Sequence, residues 1–338
     1  MTCLMIDVEG YKLNSEDIRR IKHPLVGGII LFAKNFSDRK QLSELIIAIK
    51  EVRGDLLISV DHEGGRVQRF RESFTLLPDM GLIGKTYNQD KIKAIKIANF
   101  TGWIIAKELG ELEIDFSFTP VLDIDYGTSS IIGNRSFHQN VDPIIELSAA
   151  LHQGLNHGGM EGVGKHFPGH GYIKADTHQE TAIDPRNFAD IKKADMKIFE
   201  SLIQIGLFGI MPSHVIYSTC DKMPSGLSSF WLKQQLRKNL GFKGAIFSDD
   251  MSMSAAVHCS KDIKNRVLMA LNAGCDMVLV CNSPNDVDSL LNELEWKVSA
   301  SSVLRINKMR LDKAQAKANN YKGHSLADAQ KFVINFTK

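Results

Sequence analysis

Eight short apolar runs, many of them β-branched, recur along the chain, and each is followed by a stretch with helical spacing. The runs are Cys3–Ile6, Gly28–Phe32, Leu56–Val60, Phe116–Pro120, Gly162–Lys165, Gly209–Ser213, Ala245–Ser248 and Met277–Val280. Runs of this length read as buried strands. Between them apolar residues fall three and four apart; in Asp38–Val52, Leu42, Leu45, Ile46 and Ile49 share one face. Ile92–Leu109, Pro143–Asn156, Asp190–Ile205, Trp231–Leu240 and Ile263–Ala273 read the same way. Eight strand–helix alternations predict an α/β fold, the closed parallel (β/α)8 TIM barrel. A doubly wound open sheet competes, but the Gly-x-Gly-x-x-Gly turn expected after its first strand is absent. Beyond about Ala300, Val303, Ile306, Met309 and Leu311 predict an extra C-terminal helix packed on the outside. No linker, repeat or low-complexity tract divides the chain. The reading is therefore a single domain over 1–338, with a barrel to about 295 and a helical extension over about 296–338.

At 338 residues and 43% hydrophobic, the chain can bury a large core. A net charge of +2 gives no strong pull toward nucleic acid or an anionic membrane. Cys3, Cys220, Cys259, Cys275 and Cys281 are odd in number, irregularly spaced and without a C-x-x-C pair, which suits reduced thiols. No Lys/Arg-led apolar run opens the chain, and no apolar stretch approaches the roughly 20 residues that span a bilayer. The expectation is a cytoplasmic monomer without membrane or nucleic-acid partners.

In such barrels catalytic groups sit just past the C-terminal ends of the strands. Here those positions hold Asp7, Asn35, Asp61 with Glu63, Asp123 with Asp125, Lys165 with His166, His214, Asp249 with Asp250, and Asn282. So polar a rim calls for a ligand that makes many hydrogen bonds. In D-H-E-G-G-R-V-Q-R-F (Asp61–Phe70), Asp61 can accept from hydroxyls while Arg66 or Arg69 donates; a surface ion pair is the plainer alternative. Between Lys165 and His178 the chain reads K-H-F-P-G-H-G-Y-I-K-A-D-T-H. His166-x-x-x-His170, with Asp176 and His178, invites a metal reading. Pro168 and Gly169 break the helical spacing that reading needs, and no Glu follows the first His. No metal and no cofactor are expected. In Asp176-Thr-His178 a carboxylate two residues from an imidazole can fix its tautomer and raise its pKa, making it a proton donor and later an acceptor. A solvated loop pair is the alternative. In F-S-D-D-M-S-M (Phe247–Met253) a carboxylate can attack an electrophilic carbon. Neighbouring strand residues point opposite ways, so one of Asp249 and Asp250 should face the barrel axis. Alternation does not choose between them, and both could instead cap the next helix.

Together these segments resemble glycoside hydrolase family 3, and within it the single-domain β-N-acetylhexosaminidases of bacterial cell-wall recycling. The matching motifs are HPLVGGIILFAKNF (His23–Phe36), Asp61–Phe70, FTPVLDID (Phe118–Asp125), IGNRSFH (Ile132–His138), KHFPGHG with D-T-H, SHVIY (Ser213–Tyr217) and FSDDMSM, in family order over roughly residues 20–280. The resemblance implies a retaining double displacement with Asp249 as nucleophile, His178 as acid/base and Asp176 as its partner. It implies that Asp61, Arg69, Arg135, Lys165 and His166 contact the substrate. That substrate would be a small amino-sugar muropeptide. Terminal, non-reducing β-1,4-linked N-acetylglucosamine would leave N-acetylglucosaminyl-1,6-anhydro-N-acetylmuramic acid, with or without peptide, in peptidoglycan recycling. His62 replaces the commoner Gln, Ser213 the usual Ala, and Ala182 a frequent Pro. Three rivals stay open: a phosphorylase with phosphate as acceptor, since a His acid/base does not repel phosphate; a Lys165 Schiff-base aldolase; and a non-catalytic sugar-binding barrel.

Overall fold

The computed structural model describes residues 2–173, 182–317 and 320–337. Eight parallel strands carry the fold: β1 (Leu4–Ile6), β2 (Val26–Leu31), β3 (Leu57–Val60), β4 (Phe116–Ser117), β5 (Glu161–Phe167), β6 (Gly209–Pro212), β7 (Ala245–Ile246) and β8 (Val278–Val280). They are hydrogen-bonded in the order β7-β6-β5-β4-β3-β2-β1-β8. A parallel bridge between Phe247 and Met277 joins the two outer strands, supported by Ser248 N donating to Met277 O at 2.9 Å, and closes the ring. Apart from half-buried Glu161 the strand residues are buried, as expected of a parallel sheet covered on both faces.

One principal helix follows each strand: α1 (Ser15–Lys22), α2 (Arg39–Val52), α3 (Lys91–Gly110), α4 (Val141–His157), α5 (Asp195–Gln204), α6 (Phe230–Asn239), α7 (Ile263–Ala273) and α8 (Pro284–Glu293). Their starts are written in the sequence. Asp38 and Asp90 accept from the backbone amides of Gln41 and Lys93, each at 2.9 Å, satisfying orphan donors of α2 and α3. Asn14 and Asp17 form a reciprocal capping box on α1.

The departures have physical reasons. The run Phe116–Pro120 is a regular strand only over Phe116–Ser117, since Pro120 has no N–H to give; Thr119 and Pro120 still accept from the amides of Val163 and Lys165, and a parallel bridge returns where Val121 meets Lys165. The predicted helix Asp190–Ile205 is broken at Ala194 into Phe188–Lys193 and α5. The C-terminal extension is not one helix. Ala300–Asn307 comes first, and Met309 and Leu311 are buried beyond its end. A hairpin (Asn320–Tyr321 with His324–Ser325) and the helix Leu326–Thr337 then follow. Tyr321 stacks on His157 at 4.0 Å and Phe332 meets Phe100 edge-on at 5.7 Å, fixing this extension against α3 and α4. All five cysteines are free. No helix among the described residues is long and apolar enough to cross a membrane.

At the N-terminal mouth of the barrel Glu161 opens β5 with Oε2 buried and unpartnered. Burial pushes its carboxyl up from 4.5 to about 7, only partly opposed by Lys308. A folded-state pKa above the unfolded value means stability that is full below about 4.5 and lost as pH rises through 7. Glu161→Gln is therefore expected to raise unfolding free energy on the order of 1–3 kcal/mol at pH 8. It should change little near pH 4.5, as urea titrations at the two pH values would read.

Candidate active site

At the opposite, C-terminal mouth the strand ends enclose a cavity of about 400 Å³. Asp61 and Glu63 reach it from β3, Lys165 and His166 from β5 and Asp249 from β7, while Arg135 enters from the loop between β4 and α4. Phe118 lines the cavity and packs against Phe116 and Phe247 at 5.2 and 5.7 Å, so apolar rings lie beneath the charges.

Glu63 is the hub. It takes both arms of the Arg135 fork, at 2.9 and 2.8 Å, and the Lys165 ammonium at 2.7 Å. Lys165 also donates to Asp61 at 2.8 Å. Lys165 and Glu63 are each only 2% exposed, so these charges exist because they are paired. Burial alone would raise Glu63, but Arg135 and Lys165 hold its carboxyl well below the ordinary range. Burial alone would lower Lys165, and Asp61 and Glu63 more than reverse it. Arg69 is held more loosely: its fork lies 3.5 Å from Asp61, and its Nε is buried without a partner. Asp61 and Arg69 thus keep hydrogen-bonding capacity at the cavity wall.

Two neighbours on a regular strand cannot both face inward. Lys165 and His166 do, because the β5–β6 pairing shifts register between Lys165 and Phe167. The strand also runs two residues further than its apolar pattern suggests. His166 Nδ1 donates to Asp123 at 2.7 Å, which fixes the ring and turns Nε2 to other partners. Asp123 also accepts from the His170 amide at 2.7 Å. Burial would raise Asp123, yet His166 and its other partners hold it below its ordinary value. Burial pushes His170, with His166 beside it, down to about 4, so its ring is neutral at pH 7.

Asp249 and Asp250 both border the cavity, against the expectation that only one would. Their carboxylates differ in use. Asp250 accepts from Ser252 N (3.0 Å), Ser252 Oγ (2.6 Å) and Cys281 N (3.0 Å), and so pins the turn; burial still lifts it to about 6. Asp249 accepts from the amide of Asp250 at 2.8 Å. Burial would raise it, but His214, His166, that amide and Lys165 outweigh the effect and hold it ionised. His214 Nε2 donates to the Asp250 carbonyl at 2.9 Å, beside the carboxylate it helps to ionise.

Of the residues singled out in the sequence, Asp61, Arg69, Arg135, Lys165, His166 and Asp249 meet in this cavity. Asp176 and His178 lie outside the described residues. Arg66 borders the cavity and donates to the carbonyl of Ile131. Asp125 turns away to accept from the Gly127 amide. The pivotal acids, Glu63 and Asp123, were visible only as polar strand ends. Alternation carries a signal for Glu63: it stands two residues after Asp61 and shares its face, while His62 points into Phe70 and Phe74. Burial drives His62 down to about 3, so it stays neutral there. Among the described residues no group of three or more His, Cys, Asp or Glu side chains is arranged to hold a metal ion.

The glycosyl hydrolase family 3 N-terminal domain profile matches residues 3–320. A β-hexosaminidase of Methylobacillus flagellatus is 54% identical over 307 residues, covering 90% of this chain and 88% of that protein. A β-hexosaminidase of Nitrosospira multiformis is 48% identical over 308 residues, covering 91% and 88%. The crystal structure of NagZ from Neisseria gonorrhoeae with N-trifluoroacetyl-D-glucosamine superposes with a TM-score of 0.92 at 41% identity, covering 100% of this chain and 98% of that one. With that profile over nearly its whole length, and such relatives around the same barrel, the chain belongs to glycosyl hydrolase family 3, as a glycoside hydrolase of the β-hexosaminidase type.

Proposed function

We propose that the protein removes terminal, non-reducing β-1,4-linked N-acetylglucosamine from N-acetylglucosaminyl-1,6-anhydro-N-acetylmuramic acid and its peptide-bearing forms, with retention of configuration. The observation that carries this reading is Asp249: an ionised carboxylate at a strand end, bordering the cavity beside an array of charged and hydrogen-bonding side chains. Asp249 attacks the anomeric carbon and forms a glycosyl ester. His178, oriented by Asp176, protonates the departing oxygen and then takes a proton from the attacking water. Esterification removes the negative charge of Asp249, which lowers the pKa of a nearby imidazole, so that it gives its proton to the leaving oxygen and stands neutral when the water arrives. Asp61, Arg69, Arg135, Lys165 and His166 hold the hydroxyl and acetamido groups. The cavity of about 400 Å³ suits one sugar ring at a chain end. The amino-sugar analogue bound by the gonococcal enzyme supports an N-acetylglucosamine occupant. Free cysteines throughout fit a reducing compartment, and we place the reaction in the cytoplasm, on a monomer whose 1–338 form one catalytic domain.

The test is turnover of an aryl N-acetyl-β-glucosaminide beside the matching glucoside, with and without phosphate, followed by NMR. The expected result is β-N-acetylglucosamine appearing first, with the glucoside turned over far more slowly. An α product seen first would overturn the retaining route, and N-acetylglucosamine 1-phosphate as main product would reassign the enzyme as a phosphorylase. No turnover at all would leave a sugar-binding barrel.

A further inference from the structure

Arg186 lies outside the cavity, in a dense set of polar contacts. Its Nε and Nη2 grip both oxygens of Asp184, at 2.7–3.1 Å. Its Nη1 donates to Asp195 and to the Tyr126 hydroxyl, each at 2.8 Å. Its guanidinium lies 4.4 Å from the ring centre of Tyr172 and 4.9 Å from that of Tyr126. Tyr172 belongs to the segment leading into residues 174–181, and Asp184 to the one leading out.

Both segments are fixed by independent contacts. On the incoming side Tyr217 Oη donates to the Gly169 carbonyl at 2.6 Å, and Thr128 Oγ1 to that of Tyr172 at 3.1 Å. Gly171 passes so close to the backbone that a Cβ there would lie 1.7 Å from the Ile124 oxygen. On the outgoing side Ile183 and Asp184 pair in parallel with Ile216 and Tyr217. Tyr217 therefore serves both sides, and Arg186 spans them directly. A fork with planar stacking faces sets angle as well as distance, which an ammonium would not do.

We propose that Arg186 is a positioning residue for the acid/base pair, setting where the chain between Tyr172 and Asp184 delivers Asp176 and His178. The inference rests on the proposed roles of those two residues. It separates from a purely architectural role because an acid is needed most where the leaving group is poorest.

The experiment measures kcat/KM, which reports the first displacement, over aryl N-acetyl-β-glucosaminides of graded phenol acidity. The enzymes are wild type, Arg186→Met, Arg186→Lys, Tyr172→Leu and His178→Ala, each with N-acetylglucosamine affinity by calorimetry. Arg186→Met is expected to lose about 10- to 100-fold on the poorest leaving group and under about threefold on dinitrophenolate. Its sugar affinity should hold, and Arg186→Lys should fall between. If Arg186→Met fails to fold, because Asp184 and Asp195 are left unpaired, Tyr172→Leu decides: it strands no charge and should show the same trend, more weakly. Equal losses across the series in the Arg186 and Tyr172 variants, beside a graded loss in His178→Ala, would overturn the positioning role and leave the proposed function intact. Equal losses in His178→Ala itself would remove the acid/base assignment, and this proposal with it.

Discussion

Asp249→Ala is expected to lower hydrolysis of an aryl N-acetyl-β-glucosaminide by roughly 10⁴-fold or more, the scale on which a covalent nucleophile is missed. The deletion opens space and removes charge together, so Asp249→Asn belongs beside it. Asparagine keeps the shape and the bond from the Asp250 amide while abolishing the charge that His214, His166 and Lys165 sustain. Both variants should still bind N-acetylglucosamine, because Asp61, Glu63 and Lys165 remain linked. Azide can enter the space left by alanine, but it would attack from the side the carboxylate had occupied and give the inverted α-azide. Recovery of the β-azide would show that another group forms the covalent intermediate.

Glu63→Ala should carry the largest stability penalty of any single change at the site. It strands Arg135 as a buried cation and leaves Lys165 with Asp61 alone, and breaking a buried pair from one side costs about 3–5 kcal/mol. Glu63→Gln keeps the shape and should cost less. Urea unfolding reads the difference, and N-acetylglucosamine affinity should fall with it, since both cations lose the acceptor that aims them. The pH dependence has a definite sign. The folded-state carboxyl is held below its ordinary value, so its stabilisation is complete above about pH 4.5 and lost only as pH falls through the depressed pKa. The gap between wild type and Glu63→Gln should accordingly be widest near neutrality and shrink in strong acid. A gap independent of pH would mean that packing, not charge, makes Glu63 matter.

The barrel was legible because each strand buries both faces, so that Val26–Leu31 or Leu57–Val60 stands out as an unbroken apolar run. Helices with wide apolar stripes, such as Arg39–Val52, were legible for the same reason. The short, charge-rich Ser15–Lys22 was not, since Ile18 and Ile21 alone mark its inner face. The C-terminal extension misled because Met309 and Leu311 continue a helical spacing that the backbone abandons. The site was legible as a ring of polar strand ends, and Asp61, Arg69, Arg135, Lys165, His166 and Asp249, which the family motifs name, meet in one cavity. What motifs do not show is dependence. Lys165 is aimed by Glu63 and His166 by Asp123, and such second partners are set by three-dimensional packing across strands β3, β4 and β5.

The register slip in β5 has a consequence for anyone wishing to retune sugar preference. One irregular residue lets a single strand seat two adjacent hydrogen-bonding side chains where a straight one would seat only one. That arrangement tolerates little editing: an insertion, a deletion or a change that smooths the slip would turn His166 toward the helix layer and take Asp123 with it. Libraries aimed at other hexosamines belong instead on Phe32, Met211 and Met253, which touch the same cavity and carry no charge that a neighbour depends on.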